Sequence, residues 1–182
     1  MRYVLTVLLV LGLVGLVSQA YAAESADITI TVKIQKLSVA VNPTSYDFGT
    51  MTAGNSAVAS SYIAVTNDGN VTEKFKLGIP SEPNGAWTSV TAAAPGSEEY
   101  RLSVIFKDTQ PSTYGAEDSF SVSTERTAST TELAETGGDE GEKGYNVAED
   151  AARKLWFKFE APSNTVITTQ QSITARVTAL AQ

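Results

Sequence analysis

The chain has 182 residues and a formal net charge of −7, with 13 Lys and Arg against 20 Asp and Glu. It contains neither His nor Cys, which excludes a Ser-His-Asp triad, a cysteine nucleophile, a thiolate zinc site and any disulfide. An acidic chain also lacks the basic footprint by which proteins bind nucleic acids. Composition therefore favours structural and binding roles.

The first residues are typical of an export signal. Arg2 precedes an apolar run at residues 4–17, and Ala20-Tyr21-Ala22 follows as a small-x-small cleavage site. These parts together predict a Sec-type signal peptide, and the apolar run is shorter than the ~20 residues that a spanning helix needs. We therefore predict a signal peptide at residues 1–22, cleaved after Ala22 or Ala23. The mature protein is expected to be secreted, extracellular or at the cell surface, without a stable membrane anchor.

The rest of the chain alternates apolar and polar residues, as half-buried strands do. In chain order, strands are predicted at residues 28–34, 37–41, 46–48, 59–66, 73–79, 100–106, 120–122, 155–159 and 172–180. The run Asn67-Asp68-Gly69-Asn70 predicts a tight turn, because these residues tolerate positive φ. About eight or nine short strands with turn signals between them predict one all-β domain at residues 23–182, an immunoglobulin-like antiparallel β-sandwich.

The alternation breaks between the first two predicted strands. The apolar residues of the first strand share one parity: Ile28, Ile30, Val32 and Ile34. Those of the second strand take the opposite parity: Leu37, Val39 and Val41. Because a shift of one residue moves every side chain to the other face, we expect a bulge or a crossing point at residues 35–36.

Residues 125–150 differ in composition, being rich in Thr, Ser, Gly and acidic groups. Low hydrophobicity with high charge predicts a mobile surface excursion. Its acidic residues are the candidate calcium ligands: Glu132, Glu135, Asp139, Glu140, Glu142, Glu149 and Asp150. The EF-hand spacing and the glycine-rich calcium repeat are both missing. We therefore favour a solvated loop and predict neither a metal site nor a cofactor.

Two neighbouring segments resemble a known family. Residues 46–54 read Tyr-Asp-Phe-Gly-Thr-Met-Thr-Ala-Gly, and residues 63–70 read Ile-Ala-Val-Thr-Asn-Asp-Gly-Asn. Together they resemble the pattern of PapD-like immunoglobulin-type domains, which include the ASPM-SPD-2-Hydin group and many secreted bacterial surface modules. The resemblance covers residues 37–79 and implies two packed antiparallel sheets. It indicates a fold and says almost nothing about function.

Four aromatic residues are candidates for a sugar-stacking platform: Tyr62, Trp87, Tyr100 and Trp156. An aromatic core between two sheets accounts for the same residues. Trp156 lies out of parity with its neighbours Leu155 and Phe157, so we expect it to be less buried and name it as the candidate interface residue. No carboxylate pair or Ser-Lys pair forms a recognisable constellation, so we predict no enzyme and no catalytic residue.

Residues 28–34, with their single apolar face, are the candidate assembly strand. Such a strand completes its own sheet or crosses to complete the sheet of a neighbour, and a head-to-tail contact of the second kind builds open filaments. Folding back within the same molecule is the alternative. The sequence predicts a non-catalytic structural subunit of an extracellular filament, matrix or surface coat, which associates with itself or with another surface protein. The rival prediction is a secreted adhesion module that binds carbohydrate or protein.

Overall fold

The structure is a computed structural model that describes residues 25, 27–83, 87–135 and 138–182. The predicted signal peptide lies outside the described residues. The chain divides into two compact units, residues 1–33 and residues 34–182. A single domain at residues 23–182 stays a prediction.

All strands assigned within the described residues belong to the second unit. In chain order they are β1 Val39–Asn42, β2 Ser56–Val58, β3 Ile63–Asn67, β4 Glu73–Gly78, β5 Thr88–Ser89, β6 Glu99–Phe106, β7 Ser119–Phe120, β8 Arg126–Thr127, β9 Ala152–Glu160 and β10 Arg176–Ala181. A single 3₁₀ turn, Glu140–Glu142, is the helical element of the described chain.

The strands form two sheets. The larger sheet has the order β1-β3-β9-β6-β5, with β2 beside β9 and β7 beside β6. Its long neighbours are antiparallel, whereas the short β5 runs parallel to β6. The smaller sheet has the order β10-β4-β8 and is antiparallel throughout. The predicted all-β architecture is confirmed at this level.

The two sheets share one apolar core, to which each contributes the inward parity of its strands. Phe75 and Leu77 of β4 are fully buried, as are Val104 and Phe106 of β6. The rings of Phe75 and Phe106 lie 5.8 Å apart, centroid to centroid, and so join the sheets directly. Full burial of such a side chain stabilises the fold by roughly 1.5–3 kcal/mol. The inward parity predicted for both strands is confirmed, because Phe75, Leu77, Val104 and Phe106 all belong to the core cluster.

The outer face of the larger sheet is covered as well. After β6, residues 107–118 return across that face. The indole N–H of Trp156 donates to the carbonyl of Lys107 at 2.9 Å, and the Arg101 guanidinium donates to the carbonyl of Gly115 at 2.7 Å. Residues of both parities on β6 and β9 are consequently buried, including Ile105 and Trp156. Parity alone could not have predicted this, because the cover comes from a segment without strand pattern.

The segment at residues 46–48 forms no strand, contrary to the prediction. Phe48 still packs against the core, with its ring 5.7 Å from that of Phe159. The Tyr46 hydroxyl accepts a hydrogen bond from the Ser60 backbone at 2.8 Å. Gly49 takes a positive φ of 69°, as the predicted reversal requires. The partly buried Phe48 ring and the Tyr46 hydroxyl therefore hold this segment in place of a hydrogen-bonded ladder.

The segment at residues 125–150 also differs from the prediction of a surface excursion. Its Ala128, Leu133 and Val147 are buried and belong to the core cluster. The Phe106 amide donates to the carbonyl of Leu133 at 2.9 Å, and the Val147 amide donates to the carbonyl of Glu73 at 2.9 Å. The average composition of the segment did not predict these contacts. A few apolar residues spaced along a polar segment are enough to pack it against the core.

Candidate functional site

The candidate assembly strand has no strand partner within the described residues. Residues 27–34 carry no secondary structure. Their apolar side chains are largely in solvent, with exposed fractions of 87% for Ile28, 83% for Ile30, 79% for Val32 and 76% for Ile34. Large exposed apolar patches are typical of interaction sites, so the segment remains the candidate for assembly. Intramolecular strand formation by this segment is not observed in the structure.

The point at which this segment joins the β domain is held by one side chain. The Asn70 amide donates to the carbonyl of Ile34 at 2.8 Å, while its oxygen accepts the amide of Lys36 at 2.8 Å. The Asn70 backbone amide donates to the carbonyl of Lys36 at 3.1 Å, and that of Asp68 donates to Ser38 at 2.9 Å. Residues 34–38 therefore run along the β3–β4 turn in a fixed course. The predicted break at residues 35–36 coincides with this anchor.

The β3–β4 turn is built around a buried asparagine. Asn67 is fully buried, and its amide donates to the carbonyls of Val71 and Val147 at 2.8 and 2.9 Å. Its oxygen accepts the amide of Gly69 at 2.9 Å. This side chain joins the turn to the segment that follows the 3₁₀ turn. The Asn-Asp-Gly-Asn pattern predicted the turn, but nothing in the spacing predicted the distant partner at Val147.

Gly69 allows the close approach on which this arrangement depends. A Cβ at Gly69 would lie 2.3 Å from Oε1 of Glu73 and 2.5 Å from the carbonyl oxygen of Lys36. Glu73 is itself fully buried, and its Oε1 accepts the amide of Ser38 at 2.9 Å. The absence of a side chain at residue 69 therefore lets the N-terminal segment lie against the turn. Sequence reasoning missed Glu73, because an acid at a strand start gives no signal of burial.

A buried polar cluster lies on the outer face of the larger sheet. Arg101 of β6 is only 4% exposed and faces Glu160 of β9 in register. Its Nη1 lies 3.1 Å from Glu160, and its Nε donates to the Ser119 hydroxyl at 2.6 Å. Burial opposes ionisation of Glu160, but hydrogen bonding and attraction from Lys158, together with Arg101, leave its pKa below the ordinary value. The cluster fixes the returning segment to the sheet.

A depression of about 320 Å³ lies beside this cluster, lined in part by Thr113, Tyr114, Glu117, Asp118 and Glu135. Asp118 is 2% exposed, and its Oδ2 accepts the amide of Gly115 at 2.7 Å. Burial raises the pKa of Asp118 to about 6, and the charge of Glu117 adds to the effect. Its Oδ1 and the Tyr114 hydroxyl are buried and find no hydrogen-bond partner among the residues that the structure describes. Glu135, at the rim, is paired with Lys107.

The candidate interface residue Trp156 is buried, with only 8% of its surface exposed. The expectation that it would be less buried is therefore wrong for the single chain, because residues 107–110 and Tyr62 cover it. Tyr62 packs edge-on against the indole with ring centroids 5.7 Å apart and is itself 42% exposed. The ammonium of Lys154 lies 5.4 Å from the Tyr62 ring centre. Of these two aromatic residues, Tyr62 is the one exposed to solvent. An interface role for Trp156 stays a prediction.

The acidic residues considered as calcium ligands do not converge. In the described part of the chain, no three acidic groups lie together as a metal site needs. Glu132 is paired with Arg126 at 3.0 Å, and Glu135 with Lys107. These ion pairs spread the acids over separate places on the β domain.

Comparison with known proteins identifies no relative. No family model, no curated protein and no solved structure matches this chain. Of the residues that the structure describes, none form a helix long and apolar enough to cross a membrane. Any functional conclusion must therefore come from the geometry of the chain itself.

Proposed function

We propose that this protein is a secreted, non-catalytic structural subunit that assembles head to tail through its N-terminal strand, residues 28–34. The observation that carries the proposal is the row of exposed apolar side chains on that segment, each more than three-quarters exposed. A second observation supports it: the Asn70 anchor at Ile34 presents the segment from a fixed point on the domain. A filament, matrix or surface coat is the expected product.

The energetics are sufficient for such an assembly. Burying four Ile and Val side chains contributes about 6–12 kcal/mol, at roughly 1.5–3 kcal/mol each. Association costs roughly 4–15 kcal/mol in lost freedom of movement. The two terms are of similar size, so the main-chain hydrogen bonds of an added strand decide the affinity. A head-to-tail contact of this kind does not close on itself and extends into a filament.

The immunoglobulin-like fold and the secreted location belong to the same proposal. The two sheets with a common core support a sandwich of PapD-like type, as the resemblance at residues 37–79 implies. The export signal predicted at residues 1–22 supports delivery outside the cell. In that setting, a domain with no cysteine relies on burial and on strand pairing for its cohesion.

Assembly is tested by electron microscopy and size-exclusion chromatography of the mature chain. We expect filaments or large oligomers from the parent, and a monomer after deletion of residues 25–33. The matched pair Val32→Lys and Thr31→Lys adds the same charge to adjacent residues of opposite parity. Val32→Lys should abolish assembly, because a buried unpaired charge is costly, whereas Thr31→Lys should retain it. A parent that stays monomeric over a wide concentration range would contradict the proposal.

A second function, an adhesion module, is favoured by one observation. Tyr62 presents a half-exposed ring backed by Trp156 and flanked by Lys154. Aromatic faces of this kind stack against sugars or enter protein interfaces. Binding to a polysaccharide panel, lost in Tyr62→Ala and kept in Thr31→Lys, would support this function. Trp156→Ala is the less clean variant, because the indole is buried and its removal also destabilises the fold.

A further inference from the structure

We propose that the acceptor for the N-terminal strand is the free edge of β10 in a second copy of the chain. This inference rests on the proposed function and names the surface that the assembly uses. The donor is the segment at residues 28–34. The acceptor is the edge of β10, Arg176–Ala181; residues 173–175, which precede it, share its alternation in sequence.

The β10 edge is open for pairing. In the smaller sheet, β10 pairs with β4 through six residues, from Arg176↔Gly78 to Ala181↔Glu73. Within the described residues no strand pairs with its other side. An open edge presents a row of main-chain donors and acceptors that a further strand can satisfy. β10 contains no proline to block such pairing.

The core beneath this edge is incompletely covered. Phe75 and Leu77 of β4 are fully buried, whereas Val177, which pairs with Leu77, and Ala175 are only partly buried against the same core. Val39 and Val41 of β1, on the edge of the other sheet, are partly buried too. An additional strand along β10 would lay its apolar side chains over this seam. The hydrophobic effect therefore favours a donor that is apolar on one face.

Donor and acceptor match in pattern and length. The donor reads Ile-Thr-Ile-Thr-Val-Lys-Ile at residues 28–34, and the acceptor reads Ile-Thr-Ala-Arg-Val-Thr-Ala at residues 173–179. Both alternate apolar residues with Thr or a basic residue at the same spacing. The two alanines on the acceptor leave room for isoleucine side chains, so large donor residues face small acceptor residues. Side-by-side strands of this kind keep all apolar groups on the core face and all polar groups outside.

The other edges suit the donor less well. β1 offers only Val39–Asn42 before Pro43, which has no main-chain N–H to donate. β5, β7 and β8 have two residues each. Among the edges of the described sheets, β10 with its six residues is the one closest in length to residues 28–34.

A second copy, rather than the same chain, is the expected partner. The anchors at Ile34, Lys36 and Ser38 keep the chain on one course into β1. Within one chain, the described residues show no pairing between residues 28–34 and β10. Residues 28–34 contain no Gly, Pro, Asn or Asp, the residues that make tight turns, so the segment suits a straight strand inserted into a neighbour.

Engineered disulfides test the acceptor directly, because the chain has no cysteine of its own. Adjacent strands place paired Cα atoms about 4.5–5.5 Å apart, within the range that a disulfide spans. Thr31→Cys would be mixed with Thr174→Cys, Arg176→Cys or Thr178→Cys in an isotopically labelled chain. Mild oxidation and mass spectrometry then report crosslinks between labelled and unlabelled copies. Ala40→Cys on the exposed side of β1 is the matched control.

We expect a high yield of mixed disulfide for at least one of the β10 positions and a yield at least tenfold lower for Ala40→Cys. Crosslinking to Ala40→Cys in place of β10 would overturn the acceptor while strand exchange itself stands. Disulfides within one chain, formed when both cysteines are placed in the same copy, would overturn the intermolecular contact. Filaments without any crosslink at β10 would also overturn the acceptor, whereas absence of assembly would remove the proposed function with it.

Discussion

Two segments of this chain share one pattern and have different surroundings. Residues 28–34 and residues 173–179 both alternate apolar side chains with Thr or a basic residue. In the first, Ile30 and Val32 are 83% and 79% exposed. In the second, Ala175 and Val177 rest against the core beside β4. The difference lies in the neighbour: β4 supplies hydrogen bonds and a buried face, and nothing described in the chain does the same for residues 28–34.

The comparison shows that alternation makes a segment capable of forming a half-buried strand. Whether the strand forms depends on the segment that lies beside it. A segment that has the strand pattern but no partner leaves its apolar side chains exposed to water. The free energy gained by burying them against another molecule is the physical basis of the proposed function. Four predictions, arranged from the largest expected effect to the smallest, test how sharply the partnered and unpartnered regions differ.

The largest effect is expected where β10 rests on the core. Phe75→Ala should lower the free energy of unfolding by about 3–5 kcal/mol, because a fully buried ring is replaced by a cavity. Ile30→Ala removes an apolar side chain from the unpartnered segment. In the monomer it should change the free energy of unfolding by less than about 0.5 kcal/mol. Urea denaturation of the monomeric form measures both. A large loss for Ile30→Ala would show that the segment is already packed within one chain.

The next largest effect is expected at the two asparagines of the β3–β4 turn. Asn67→Ala should cost about 3 kcal/mol, because it removes the three hydrogen bonds of a fully buried amide: those to the carbonyls of Val71 and Val147 and that from the amide of Gly69. Asn70→Ala should cost about 1 kcal/mol, since Asn70 is only half-buried and holds the departing segment. Assembly assays should show a greater defect for Asn70→Ala than its small stability loss explains. Equal losses of stability in the two variants would indicate that residues 34–36, held by Asn70, are fixed as firmly as the turn held by Asn67.

Gly69→Ala should lower the free energy of unfolding by about 2–3 kcal/mol, because the added methyl group meets a buried carboxylate and a main-chain oxygen. The matched control is Gly141→Ala, where a Cβ would meet nothing within 4 Å. Thermal melting of the two variants measures the difference. Indistinguishable melting temperatures would mean that residues 34–38 can move away from the β3–β4 turn without a loss of stability.

The smallest effect is a pH dependence that belongs to the partnered region alone. The folded-state pKa of Asp118, about 6 through burial, lies above its ordinary value, so the folded chain holds a proton that the unfolded chain has lost. The free energy of unfolding should therefore fall by roughly 2 kcal/mol as the pH rises from about 4 to 6 and then level off. Asp118→Asn should remove this slope, and deletion of residues 25–33 should leave it intact.

Denaturant titrations at a series of pH values provide the measurement, with Asp139→Asn on the exposed surface as the control. The opposing contribution comes from Glu160, whose lowered pKa adds stability that is lost as the pH falls through its folded value. A slope that survives in Asp118→Asn would assign the dependence to another group.

Much of the strand framework could be predicted from local pattern. The inward parity of β4 and β6 follows from the spacing of Phe75 and Leu77 and of Val104 and Phe106, and the structure confirms both. The reversal at Gly49 follows from a residue that tolerates positive φ, and Gly49 takes one in the structure. The chain also turns at residues 67–70, where no residue takes a positive φ and the side chain of Asn67 holds the turn by hydrogen bonds. These features depend on neighbours within a few positions in the chain, which the sequence displays directly.

The sequence by itself determined that the chain is built of alternating strands, carries no cysteine or histidine chemistry, and has an alternating apolar face at residues 28–34. Only the tertiary structure decided that Trp156 is buried, that Leu133 and Val147 dock a polar segment, and that Glu73 and Arg101 lie inside. The reason is physical: burial is a property of pairs of distant segments, and each of these residues is covered by a part of the chain far from it in sequence. The exposed face of residues 28–34 follows the same rule, because a strand becomes buried only when something lies beside it.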